Sequence, residues 1–291
     1  MGAASPHRAA KSGRGPCKNL FRYVLLYLVL IAGAGLVLLP ALWLIICSLE
    51  TEYQLRASLA WWPRPFAWEN YLKVFRVMPF LPLVRNSLFV AGVNILGCVS
   101  ASALTAYAFA KLRAPGKDAL FVLLLASMML PNEVTMIPVF IIWRRLGLTN
   151  TFFPLTVPSF LGGGAFNVFL LRQFFLGIPN ELSEAAAIDG CSPLGVFFRI
   201  ILPLAKPALG VIAVFTFIGN WNDFQNPLIY LNDQNLYTLA LGLQAFAGQT
   251  GGAPLSILLA GSVLTLLPVV ILFFAAQKTF MRGINLSFGK E

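Results

Sequence analysis

The sequence is poor in charge. Only 11% of its 291 residues are Asp, Glu, Lys or Arg, against about 25% in soluble domains, and a chain so short of polar groups cannot face water on all sides. It has a single histidine, His7 in the N-terminal tail, so its apolar segments have no histidine for a metal centre, a proton relay or a hydrolytic dyad. The four cysteines, Cys17, Cys47, Cys98 and Cys191, include no pair at metal-ligand spacing, and free cysteine is most often a small apolar filler. A phosphate-binding G-x-x-x-x-G-K-[ST] loop is missing too. Gly116-Lys117 and Gly289-Lys290 are followed by Asp118 and Glu291 and lack the earlier glycine, so this chain cannot hydrolyse ATP by itself.

What is present is apolar length: 58% of the residues are hydrophobic. Six stretches are long enough to cross a bilayer core, which takes roughly 20 residues in a helix: Tyr23–Cys47, Ser87–Ala110, Ala119–Trp143, Thr151–Leu171, Ala208–Tyr230 and Leu255–Ala276. The chain is therefore expected to be an all-α, polytopic membrane protein. With the N-terminus inside, fourteen of the 21 Lys and Arg fall in inner segments, as cytoplasmic loops require, and both termini are expected to be cytoplasmic. Topology then explains the net charge of +10, and nucleic acid need not be invoked. The basic start followed by an apolar run is too long for a signal-peptide core and reads as a retained first helix. Trp61, Trp62, Phe66 and Trp68, in the external loop before the second span, suit the headgroup level.

Inside the spans, Ser102, Ala106 and Ala110 recur every four residues, a spacing that lets helix backbones approach closely in lipid. The third segment is interrupted where Pro131 and Pro138 flank Glu133, and in the fourth Gly162, Gly163 and Gly164 precede Asn167. Backbone groups freed at such breaks must be satisfied by protein or by a wet cavity. An acid at mid-membrane costs about 2.5–3.5 kcal/mol on insertion scales. Glu133, Asn167, Asn220, Asn222 and Asp223 are thus candidates for the lining of a polar path; the alternative is that Glu133 caps a helix and Asp223 sits near the interface.

The run from Glu184 to Pro207 is polar and broken between two apolar spans. Asn180 is a good helix cap, so a short helix is expected from Glu181 to about Asp189, with Gly190 as the left-handed residue that ends it. Ser192-Pro193 reads as the cap and first turn of a second helix that Pro203 kinks or ends. Its Leu194, Phe197, Phe198 and Ile201 make one apolar stripe opposite Arg199, suited to the inner membrane face. By spacing alone this is either an ordinary cytoplasmic hairpin or a docking element.

The pattern Glu184-Ala185-Ala186, three residues, Gly190, nine residues, Ile200, one residue, Leu202-Pro203 resembles the EAA loop of bacterial binding-protein-dependent ABC importers. "LPNEVTMIPVF", "LGLTNT", "NWNDFQNPLIYL" and "YTLALGL" resemble the carbohydrate-importing, MalG-like permeases of that group. The resemblance implies a type I importer fold: a basic tail (1–18), a first helix with an external loop (19–83), a permease core (84–282) containing the loop at 181–203, and a cytoplasmic tail (283–291). It also implies that Glu184, Ala185, Ala186, Asp189, Gly190, Ile200, Leu202 and Pro203 couple to a cytoplasmic ATPase dimer. ATP and Mg would sit on that partner, with no cofactor in this chain. A second, similar permease and an external solute-binding protein would complete a carbohydrate importer of the bacterial inner membrane. Cys191 stands where the family usually has Ala, and the tail "GINLSFGKE" departs from the family's usual ending. The competing readings are an importer of another solute class, a secondary transporter, or a membrane enzyme. The last two find neither an ion relay nor clustered catalytic groups here.

Overall fold

The computed structural model describes residues 16–57, 62–248 and 254–288, and every regular element among them is helical. In chain order these are α1 (Pro16–Ser48), α2 (Glu52–Ala57), α3 (Glu69–Val77), α4 (Phe80–Lys111), α5 (Lys117–Ser127), α6 (Asn132–Arg145), α7 (Phe153–Thr156), α8 (Ala165–Leu176), α9 (Asn180–Ile188), α10 (Pro193–Val196), α11 (Leu202–Leu204), α12 (Lys206–Trp221), α13 (Gln225–Tyr230), α14 (Leu239–Ala247) and α15 (Leu255–Phe288). Four spans are long and apolar enough to cross a membrane, and bent helix pairs raise this to six. Counted with each bent pair as one span, the number equals the six expected crossings, although the second pair joins Pro193–Leu204 to α12 and so begins ahead of the expected Ala208–Tyr230 stretch.

Each break has a local cause. Between α5 and α6 the chain turns by 97° just before Pro131, which has no N–H to continue the ladder. Pro138, by contrast, lies inside α6, so only one of the two prolines interrupts the third crossing. In the fourth, Gly162, Gly163 and Gly164 all have positive φ, and a short 3-10 turn at Val157–Phe160 precedes them. Gly163 has a second constraint: a Cβ there would lie 2.7 Å from the Cys98 carbonyl, so only glycine lets this loop rest on α4. The contact falls against Ser102, which is fully buried, as is Ala106; the expected small-residue seam is where α4 meets α8.

Helix α4 is the central rod. At one end its Leu83 packs with Val74, Trp221, Leu239 and Phe246, and the other end packs with Leu171, Phe175, Phe197, Ile201 and Ile212. At the first end Asn86 Nδ2 donates to the carbonyls of Asn235 (2.8 Å) and Tyr237 (3.0 Å), and Ser87 Oγ accepts the Leu239 N–H at 2.7 Å. These bonds replace water for the backbone of a loop that has no ladder of its own. Helix α15 starts at this same end, where Ile257 and Ala260 join Phe80 in one cluster. Both long helices therefore run toward the other end, and so, in the reverse direction, does the start of α1 from its contact with α15.

Helix α1 is apolar all round. Its most hydrophobic stretch holds no buried residue, as expected for a helix facing lipid or a further chain. The basic tail expected over residues 1–18 begins its helix at Pro16, and residues 1–15 lie outside the described ones. Helix α15 likewise continues to Phe288, past the expected start of a tail at 283. Among the loop aromatics, Phe66 stacks on Trp68 (centroids 6.1 Å) and meets Trp62 edge-on (5.6 Å), leaving both tryptophans largely exposed; Trp61 is outside the described residues.

Candidate functional site

Two features carry the chemistry: the α9–α11 hairpin and a polar cavity beside α4. Helix α9 starts at Asn180 itself, with Pro179 in extended conformation before it and no side-chain cap. Asn180 is not the expected cap, because its Oδ1 is taken: it accepts from Lys111 Nζ at 2.7 Å, and the same ammonium donates to the Ile178 carbonyl at 2.6 Å. At the other end of α9, Gly190 has φ +81°. Cys191 N–H donates to the Ala186 carbonyl (2.9 Å) and Gly190 N–H to that of Ala187 (3.0 Å), the paired bonds of a Schellman termination. Ser192 then caps α10, accepting the Gly195 N–H at 3.2 Å, with Pro193 in the first turn.

The second arm differs from a simple amphipathic helix. Phe197–Ile201 forms a π-helical turn. It turns Phe197 and Ile201 into the core, while Leu194 and Phe198 stay exposed, so only half of the expected stripe lies outward. Tyr107 closes this end: its hydroxyl donates to the Pro193 carbonyl at 2.9 Å, and its ring lies 5.1 Å from that of Phe197. The chain bends by 76° between Pro193–Leu204 and α12, and the break falls at Ala205, two residues after Pro203.

The motif residues divide by role. Glu184, Ala185 and Asp189 are exposed, whereas Ala186, Ile200 and Leu202 pack on the core around Phe175 and Phe197. Gly190 and Pro203 act through the backbone. Sequence reasoning missed Tyr107 and Lys111, although a lysine ending an apolar span was a signal that its ammonium needed carbonyl partners. Arg172, on α8, places its guanidinium 4.1 Å from the Phe121 ring centre, a cation–π contact that fixes α5 to α8 on the same side.

The cavity, about 370 Å³, is walled by Asn94 and Cys98 of α4, Asn132, Thr135, Met136 and Val139 of α6, the Pro154–Ser159 turn, Asn220, and Asp223 to Tyr230. Asn94 Nδ2 donates to the Leu155 carbonyl at 2.9 Å and to Asn220 Oδ1, and Asn220 in turn donates to the Thr216 carbonyl at 2.7 Å. Asp223 accepts the Asn226 N–H (3.1 Å) and its Nδ2 (2.8 Å). Of the five candidate path residues, Asn220 and Asp223 line this cavity. Glu133 is exposed in the first turn of α6, Asn167 donates to the Gly163 carbonyl, and Asn222 donates to that of Ile218; none of these three is in the wall.

Residues 93–285 match the family described as binding-protein-dependent transport system inner membrane component. The chain belongs to that family. The match spans the cavity, the hairpin and most of α15, and makes this permease a transport component rather than an enzyme. A probable ABC transporter permease, YurM of Bacillus subtilis, is 35% identical over 90% of this chain and 85% of its own. The arabinooligosaccharides transport system permease AraQ of Halalkalibacterium halodurans is 34% identical over 87% and 91%. The sn-glycerol-3-phosphate transport system permease UgpE of Yersinia pestis is 33% identical over 89% and 94%. The permease also shares its fold with a chain of a bacterial ABC transporter that imports alginate, at a TM-score of 0.78 and 23% identity, covering 95% of this chain and all of that one.

Proposed function

We propose that this permease and a second, similar chain form the membrane path of an ATP-driven importer for a carbohydrate or related polyol compound. The solute would be handed over by an external binding protein, and an ATPase dimer carrying ATP and Mg would dock on α9 from the cytoplasm. The observation that carries this reading is the build of the hairpin. Helix α9 is exposed on nearly every residue, yet it is pinned to α4 by Lys111 at its start and by Tyr107 just beyond its end. An exposed element held this firmly suits transmission of force from a partner. Glu184, Ala185 and Asp189 supply its outward surface, and Ile200, Leu202 and Pro203 pass the displacement to α12. A relative that carries arabinooligosaccharides supports the solute class, and the lysine and arginine asymmetry supports cytoplasmic termini on the hairpin side.

Charge reversal at the docking face tests the reading. With the second permease and a tagged ATPase of the same system, Glu184→Lys should cut recovery of the complex by about ten-fold, since a misplaced interfacial charge costs several kcal/mol, while the amount of inserted permease is unchanged. Full recovery together with normal uptake would remove α9 as the coupling element.

A further inference from the structure

Family membership leaves the charge of the solute open, because the relatives' solutes include both oligosaccharides and a phosphate ester. The cavity bears on it, provided that the cavity belongs to the transport path proposed above. Among the described residues, no Lys, Arg or His is in its wall, and Asp223 is the only acid there. The remaining polar groups are amides and hydroxyls. The start of α6, whose Asn132 is in the wall, carries Glu133 in its first turn, which opposes the positive polarity of that helix end. Asp223 itself is held by a single residue, Asn226, through one hydrogen bond to each carboxylate oxygen. A carboxylate has roughly four acceptor positions, so it retains acceptor capacity toward a hydroxylated solute.

We propose that Asp223 is an anion barrier: the cavity admits uncharged, polyhydroxylated solutes and turns back phosphorylated or carboxylated ones. The bland alternative is that Asp223 only caps α13 by accepting the Asn226 N–H. Asn is as good a cap as Asp, so Asp223→Asn keeps the cap and removes the charge, which separates the two roles without unfolding the element.

Cys98, in the cavity wall, provides a reporter that does not depend on knowing the solute. In the assembled importer, with Cys17, Cys47 and Cys191 replaced, Cys98 is reacted with three methanethiosulfonates: anionic sulfonatoethyl, cationic trimethylammonioethyl and neutral glucosyl. Each rate is divided by that of a small free thiol. The anionic reagent should lag the neutral one by about ten-fold, and Asp223→Asn should bring the two to within about two-fold. A repeat at Thr135→Cys, with Cys98 replaced, reads the same cavity from α6. Equal anionic and neutral rates in the parent, or a ratio that Asp223→Asn leaves unchanged, would overturn the barrier. If neither thiol reacts with any reagent, the cavity is closed to solutes, and both the barrier and the transport reading of the cavity fall.

Discussion

Two acids near the end of α1 show how position decides what one side-chain type does. Glu50 is almost fully buried, with one carboxylate oxygen lacking any partner, and burial pushes its carboxyl above the usual value. Two residues on, Glu52 is held below it: partial burial acts upward, but the Ser256 N–H (3.2 Å) and Arg56 (3.0 Å) outweigh it. Ser256 is in the first turn of α15, so Glu52 is an anion at a helix N-terminus, worth about 0.3–1 kcal/mol at a surface position. A depressed carboxylate pKa stabilises the folded state fully above the unfolded value, near 4.5, and the effect is lost as pH falls through the folded value. Glu52→Gln should therefore speed amide exchange over residues 255–258 by about two- to five-fold at pH 7. That difference should vanish on acidification below the lowered pKa; a difference that persists there would assign the effect to packing instead of charge. The helix-end role of Glu52 was not legible in the sequence, because Ser256 lies 204 residues away.

At the scale of the element, the joint between α9 and α10 depends on one left-handed residue. Gly190→Val should strain it by about 1 kcal/mol or more and break both bonds of the Schellman termination. Gly190→Asn should be tolerated, since Asn visits this conformation readily. Recovery of the tagged ATPase is the readout: loss with Val and retention with Asn supports a conformational role, while equal loss would show that the site rejects any side chain. Nothing lies within 4 Å of a Cβ built at Gly190, so bulk within this chain does not confound the comparison. This joint was legible beforehand because Gly190, Ser192 and Pro193 are local signals, read through backbone preferences over three or four residues. The second arm was read less well: a stripe at helical spacing assumes 3.6 residues per turn, and the π-turn at Phe197–Ile201 shifts the register so that Phe197 is buried while Phe198 is not. The cavity was legible only in part. Asn220 and Asp223 stood out as polar residues in apolar runs, but the same signal also marked Glu133, Asn167 and Asn222, and sequence does not say which of five polar side chains a break will turn inward.

For the whole molecule, the even number of crossings places the start of α1 and the end of α15 on the side of the hairpin, and the end of α1 and the start of α15 on the other. Tyr53, which is 80% exposed, should then be on the opposite side. Tyr53→Cys should label in intact cells with an impermeant thiol reagent, and Arg199→Cys only after permeabilisation; the reverse pattern would invert the topology. The central rod has a further consequence in plain leverage. Its 32 residues span about 48 Å. Tyr107 and Lys111 attach the hairpin to one tip, Asn86 and Ser87 attach the 235–239 loop to the other, and the cavity residues Asn94 and Cys98 are near the midpoint. A tilt of about 10° around that midpoint would move each tip by about 4 Å in opposite senses and the cavity wall hardly at all. On the transport reading proposed above, a see-saw of this kind would exchange the opening at one membrane face for the opening at the other, while a solute near the fulcrum would keep its contacts.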